Sequence, residues 1–574
     1  MPTPPEPSPA AAPAAAPHDV VIVGGGLAGL TLALQLRQRV ADIDILVVER
    51  RPHPVPLAVH KIGESSVEIG AHYFEQVLGL KPHLQSEQLQ KFGFRFFFSD
   101  RRNDIDRVLE IGVSRPLPVA SWQIDRGIFE NFLAQTAVER GIRFEDSARV
   151  QQLLLGGDAD TPHAVHWRSD SQAEDEPDHI SHGRWLIDAS GRAGLLKRQL
   201  GLALESPHQA HAVWFRVAER ITIDDWSDDP AWRARTQTPT RWLSTNHLVG
   251  EGYWVWLIPL ASGSHSVGIV ADPTYHPLAS MNTYERAMQW LQTHQPQLHA
   301  VLLQITGPPA LAPCGVDARL QDFAFFRRFS HDCRQLFSPR RWALAGEAGR
   351  FLDPFYSPGS DFIAIVNTYI TELVARDRAG KPLAAHAAVF DQAMRSFHDS
   401  TLALYTDQYG LFGDPEVLPH KVIWDYSYYW GVLSQLFFHN RLTDLAALSH
   451  LRDDFAQGQA LNLAVQAYLR DWGRVSQRRN APVMLDQARM PWFAELNGSL
   501  LDTLDDAGFR NRIRESIRRL TALAQQLLAR GRSEHPQLHG SALQAAIDAG
   551  GLDAAAHQAF GPMLFPAAEV LETA

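Results

Sequence analysis

Four consecutive apolar residues, Val20 to Val23, precede a glycine-rich break, after which Leu30, Leu32, Ala33, Leu34 and Leu36 recur with helical spacing. The first run reads as a strand buried on both faces and the second as the helix that covers it. A second apolar strand runs from Ile43 to Val48 and ends at Glu49. Further on, a helical pattern passes through Phe74 and Leu78, with Ser65 or Ser66 placed as its N-cap. The stretch Lys91 to Phe98 is strand-like and aromatic. Its alternation sets Lys91, Gly93 and Arg95 on one side and Phe92, Phe94 and Phe96 on the other. Asp125 is placed to cap a helix that runs to about Arg140.

Strand patterns then dominate. Residues Arg143 to Trp167 alternate, interrupted at Gly156-Gly157-Asp158, and the polar stretch Ser169 to His182 reads as a hairpin tip. Trp185 to Arg192 is a buried strand ending in small residues, and Val213 to Val217 and Tyr253 to Val270 add more strands. Trp342 to Ala348 is another strand, with a glycine and an acid at its exit. It is followed by the turn Tyr356-Ser357-Pro358-Gly359 and an apolar helix from Ile363 to about Ala375. Beyond Lys381 the pattern is mostly helical and no internal repeat is visible. These elements predict an α/β chain, α+β overall. It joins a Rossmann-like nucleotide-binding fold over 18–375 to antiparallel substrate-domain strands, interleaved at about 91–125 and 205–325, and to a helical region over 376–574. Residues 1–17, rich in Pro and Ala, read as a disordered tail.

The break after Val23 carries the first chemistry. Gly24, Gly26 and Gly29 form G-x-G-x-x-G between a strand and a helix, with Leu27 and Ala28 opening that helix. Such glycines permit a tight turn, a close approach of backbone to a pyrophosphate, and close helix–strand packing. The helix N-terminus then offers free N–H groups to the phosphates. Glu49, about 20 residues on and followed by Arg50, is placed to accept from ribose hydroxyls. A dinucleotide site is therefore expected here.

Composition narrows the partners. The 574 residues carry 45% hydrophobic and 20% charged side chains, a soluble globular balance. A net charge of −11 argues against a general nucleic-acid binder. Only Cys314 and Cys333 occur, which supports neither a disulfide framework nor a cysteine-rich metal site. No apolar run approaches the roughly 20 residues needed to span a bilayer, and the N-terminus lacks a secretory pattern. A cytoplasmic location is expected.

Several residues have two readings from local pattern alone. The loop Lys61-Ile62-Gly63-Glu64-Ser65-Ser66 is either a capped connection with a solvated lysine or a loop crossing a bound cofactor. Lys91 is either the polar face of a strand or a functional amine. Arg126 either reaches a phosphate or pairs on the surface, and Trp254 and Trp256, on one strand face, are core or cofactor contacts.

A resemblance weighs on these choices. Gly24–Gly29 with Glu49, Asp188–Arg192, and Gly346–Glu347 resemble, in order and spacing, the FAD-contacting elements of aromatic hydroxylases and flavin-dependent halogenases. Within that superfamily, Trp254-Val255-Trp256-Leu257-Ile258-Pro259 resembles the W-x-W-x-I-P motif of the halogenases, and Gly63-Glu64-Ser65-Ser66 their loop beside the isoalloxazine. Lys91 falls where those enzymes carry an essential lysine, and Lys61 matches no lysine of the family.

The resemblance implies FAD as cofactor, supplied reduced by a separate flavin reductase through free FADH2, with O2 and a halide ion as co-substrates. It implies that hypohalous acid made at the flavin travels through a tunnel to Lys91, which holds it for substitution on a small, electron-rich aromatic ring, free or tethered to a carrier protein. FAD contacts are implied for Gly63, Glu64, Ser65, Arg126, Asp188, Gly346, Glu347, Pro358 and Gly359, besides the first glycine turn. Where tryptophan-type halogenases carry Glu-Ser-Thr-Gly this chain has Tyr356-Ser357-Pro358-Gly359. Tyr356 and Ser357 are thus the residues placed for the catalytic turn, and the missing glutamate points to a phenol-like substrate. A hydroxylating monooxygenase and a non-catalytic flavin-binding interaction protein are the alternatives. The sequence leaves the oligomeric state open.

Overall fold

A computed structural model describes residues 16–57, 61–158, 161–173, 175–236, 240–308, 318–551 and 560–565. The tail before Ala16 and Cys314 lie outside the described residues, while Cys333 is a buried free thiol.

The first sheet is built on the strand His18–Val23. It pairs in parallel with Ile45–Val48 on one side and His179–Asp188 on the other. Arg143–Glu145 and Trp342–Leu344 extend the parallel sheet outward. The register decides what this sheet can do. Val23 lies opposite both Val48 and Asp188, and Asp188 opposite Leu344. Gly24, Glu49, Ala189 and Gly346 therefore emerge together at the carboxyl edge, where open α/β sheets bind their ligands.

The second sheet has the strand order Leu320–Phe326, His211–Val217, His265–Ala271, Tyr253–Pro259, Thr245–Gly250, Phe94–Phe97, Glu110–Gly112 and Met484–Asp486. Its strand Tyr253–Pro259 sends Trp254 and Trp256 to one face, with ring centroids 5.8 Å apart. Gly268 is opposite Trp256, and a Cβ there would lie 2.1 Å from the indole, so only glycine leaves room for the ring.

Helix α1 (Leu27–Arg39) covers the first sheet. Helices α2 (Glu68–His72), α3 (Arg126–Glu139) and α4 (Gly359–Arg378) frame the junction of the two sheets. The C-terminal region is mostly helical, including α5 (Leu418–Tyr428), α6 (Arg452–Gly473) and α7 (Asp506–Glu534). It also contributes the strand Met484–Asp486, which pairs in parallel with Glu110–Gly112 and ties the helices to the second sheet. No described helix is long and apolar enough to cross a membrane.

Three local expectations need correction. The alternation expected from Lys91 fails because Gly93 takes φ +69°, so the strand starts only at Phe94. Lys91 thus sits over the Phe94 ring, 3.4 Å from its centroid, while Arg95 points away to pair with Glu110. Neither Ser65 nor Ser66 caps α2: the cap position is Val67, and Ser66 instead exchanges hydrogen bonds with the Trp122 backbone. Helix α4 begins at Gly359, four residues ahead of Ile363, because Pro358 pre-sets a helical φ at its cap. Asp125 caps α3 as expected, accepting from the N–H groups of Gly127 and Ile128.

Candidate functional site

The first glycine turn is shaped by contacts that exclude side chains. Gly24 has φ +114°, and a Cβ on it would lie 2.3 Å from the Ala189 carbonyl oxygen. A Cβ on Gly29 would lie 1.9 Å from the Gly24 carbonyl oxygen. Gly26 is different: its Cβ would meet only the Lys61 ammonium, at 3.4 Å, and the Glu130 carboxylate, at 4.0 Å. The N-terminus of α1 has no side-chain cap and no acid in its first turn. Its free N–H groups and positive dipole end suit a diphosphate. Substituting Gly26 by Val should leave the fold intact, since the backbone there is extended, yet fill the space a pyrophosphate needs. We expect FAD affinity, measured by fluorescence titration, to fall on the order of a hundredfold.

The acids expected at the ribose are partly committed elsewhere. Glu49 accepts from Gly25 N at 2.6 Å and from Arg51 N at 2.9 Å, with Arg50 exposed beside it. Asp188 is fully buried. One of its oxygens accepts from the Ser190 backbone and hydroxyl and the other from Leu196 N. Asp188 therefore shapes its own turn, because the chain folds back over it at once. Glu64 is likewise buried, accepting from Arg216 at 2.7 Å, and anchors its loop to the second sheet.

Lys61 and Arg126 converge on Glu130 beside the glycine turn. Arg126 also donates to the Ile62 carbonyl at 3.0 Å, so it is held by protein groups at the rim rather than loose on the surface. Glu130 escaped sequence reading because it follows Arg126 by one helical turn and looks like an ordinary i,i+4 partner.

A cavity of about 1000 Å³ runs from this turn to the second sheet. Leu27, Arg126, Gly346 and Glu347 line one end, and Gly63, Glu64, Ser65, Thr245, Trp254 and Trp256 continue it. Ser357, Pro358 and Gly359 complete the wall. Ser357 holds φ +52°, unusual for a residue with a side chain, and its N–H donates to the Pro354 carbonyl at 2.9 Å. Tyr356 turns away from the catalytic place expected for it. Its hydroxyl donates to Asp425 at 2.9 Å, burial and that carboxylate push its pKa well above the ordinary value, and it has no free role as a proton acceptor.

Lys91 lies behind this cavity, bonded to Ser65 of its wall. Its ammonium donates to Ser65 Oγ at 3.0 Å and to the Ser66 carbonyl at 3.1 Å. Ser65 in turn meets Thr245 Oγ1 at 2.9 Å. On its other side Lys91 lines a second cavity of about 460 Å³ with Glu68, Phe94, Val113, Leu117 and Tyr426. Burial pushes the Lys91 pKa down to about 7 against the opposing pull of Glu68 and Asp361. Asp361, in the first turn of α4, accepts from Gly70 N and from the Tyr429 hydroxyl, and burial drives its pKa up to about 8.

Residues 17–272 match the family described as FAD binding domain. The chain is 24% identical over 479 residues to flavin-dependent halogenase chlA of Dictyostelium discoideum, covering 79% of this chain and 76% of that protein. It is also 24% identical over 360 residues to a 1H-pyrrole-2-carbonyl-[peptidyl-carrier protein] chlorinase of Pseudomonas fluorescens, covering 60% of this chain and 72% of the relative. Among solved structures, the halogenase PltM in complex with phloroglucinol and FAD superposes with a TM-score of 0.58 at 18% identity, covering 88% of this chain and 96% of PltM. The glycine turn, the uncapped helix and the long cavity fit FAD.

Proposed function

We propose that this chain, an FAD-dependent oxidoreductase of the flavin-dependent halogenase type, halogenates a phenol-like ring with an oxidant held by Lys91. The observation that carries the reading is the position of that amine: buried, bonded to a serine of the large cavity, and lining the smaller cavity behind it. Bound in the large cavity, reduced FAD with O2 supplies the oxidising power that turns halide into hypohalous acid. The diphosphate would be held by the first glycine turn and the rim cations Lys61 and Arg126. The flavin ring would be held by Gly63, Ser65 and the turn Ser357-Pro358-Gly359.

The rest is the work of this chain's own side chains. Lys91 donates a hydrogen bond to the oxygen of hypohalous acid and orients the halogen toward the smaller cavity. The tryptophan face and the Phe94 ring keep water from the path, so oxidant is not lost before it reaches the substrate. Glu64 and Arg216 keep the Gly63–Ser65 loop in register with the sheet. Reduced flavin comes from a separate reductase in the cytoplasm, and the substrate is free or carrier-bound, the latter as the name of the pyrrole relative suggests for that protein.

Incubation with FAD, a flavin reductase, NADH and bromide should give singly brominated products from phenols, read as isotope doublets by mass spectrometry. Hydroxylated products without bromine would overturn the reading. The same assignment fixes a pH response. The Lys91 pKa is depressed to about 7, so its ammonium is lost as pH rises through that value. The groups facing it are Glu68 of α2, Asp361 of α4 and His247 of the second sheet. Single-turnover bromination should therefore fall above pH 7, whereas a rate rising through the same range would assign the step to the free amine.

A further inference from the structure

The smaller cavity contains one carboxylate that the scheme so far does not use. Glu68, the first residue of α2, is 7% exposed and lines the cavity with Lys91. One of its oxygens accepts a long bond of 3.4 Å from the Asn497 amide. The other, Oε2, has no hydrogen-bond partner although it is fully shielded from solvent. The Trp430 indole N–H is close enough to favour the Glu68 carboxylate, yet at hydrogen-bond geometry it closes no bond. A buried carboxylate oxygen left unpaired is costly, and this one belongs to a side chain that lines a cavity. Its surroundings are otherwise complete. Asn497 is oriented by the Val119 N–H, Asp361 is engaged by Gly70 and Tyr429, and Tyr426 also lines the cavity.

Resting on the halogenation reading, we propose that Glu68 takes the proton from the ring carbon being halogenated, the ring lying in the 460 Å³ cavity between Lys91 and Tyr426. The steps balance. The ring carbon bonds the halogen as the halogen–oxygen bond breaks, its electron pair passing to oxygen. That oxygen leaves as water with a proton from the Lys91 ammonium. The ring C–H bond then breaks, its electron pair restores the aromatic system, and the proton passes to Glu68 Oε2. Return of that proton from Glu68 to the Lys91 amine resets both groups. Burial, opposed by the Lys91 charge, pushes the Glu68 pKa up, which makes the carboxylate a stronger base than an exposed one. Tyr356, committed to Asp425, leaves this task to Glu68.

The test uses the full chain with FAD, a flavin reductase, NADH, bromide and resorcinol, either unlabelled or ring-deuterated. Wild type should show no deuterium isotope effect, since substitution precedes proton loss. Glu68→Gln should brominate about a hundredfold more slowly and acquire an isotope effect above 2, because proton loss becomes limiting. Glu68→Asp should recover part of the rate, and both variants should bind FAD as wild type does. A Glu68→Gln enzyme that is slow without an isotope effect, or one with wild-type rate beside an inactive Lys91→Ala, would overturn the proposal and leave the halogenation reading standing. A wild type that oxidises FADH2 yet brominates no phenol would overturn that reading, and the role of Glu68 with it.

Discussion

Replacing Lys91 by Ala should abolish ring halogenation while FAD affinity and the rate of FADH2 oxidation stay within about twofold of wild type. The amine touches no part of the glycine turn or of the α1 N-terminus, and its one link to the flavin side is the bond to Ser65 Oγ, which Thr245 also holds. Its partners are Ser65 of the large cavity, the Ser66 carbonyl and the face of Phe94, which lines the smaller cavity. Removing a positioned donor from such a place costs about 10²- to 10⁴-fold in the step it serves. Oxidant formed upstream should then escape or decay. Peroxide release should persist, measured with a peroxidase-coupled dye, and product should be missing by mass spectrometry. Halogenation by Lys91→Ala at the wild-type rate would remove Lys91 from the site.

The second large effect concerns stability. Arg216 is buried between Glu64 and Asp322 and also donates to the Lys61 carbonyl. It joins the second sheet to the loop that crosses the cavity. Arg216→Leu would leave two buried carboxylates without their cation, a loss of about 3–5 kcal/mol in denaturant unfolding. The sign with pH follows from the same picture. Burial already raises the Glu64 pKa, and losing the guanidinium raises it further. A carboxyl with a raised folded pKa holds its proton better in the folded state, so stability falls as pH rises through the window between the unfolded and folded values. The deficit should therefore be smaller at pH 5 than at pH 8. Equal deficits at both would mean that packing alone is at stake.

What the sequence discloses is local. The Val20–Val23 run, the three glycines and the Trp-x-Trp strand follow from patterns only a few residues long, and their packing repeats what the pattern implies. Lys91 was legible only through resemblance, since Gly93 breaks the alternation on which a purely periodic reading depends. The acids around it were not legible. Glu68, Asp361 and Lys91 are brought together by three elements far apart in the chain, and each alone looks like a surface charge. The engagements of Asp188 and Tyr356 were hidden for a related reason. Their residue types suit a site, but the groups that engage them, the backbone of Leu196 and the carboxylate of Asp425, are visible only once the chain has folded.

The central claim is that oxidant passes from flavin to Lys91 without entering bulk water. The most direct measurement is bromination of resorcinol by the complete system in the presence of a large excess of a thioether scavenger too bulky for the cavity. Enclosed transfer predicts an undiminished yield of brominated resorcinol and little sulfoxide. Loss of the ring product with sulfoxide formed in its place would show that the oxidant is released to solvent, and would contradict the account.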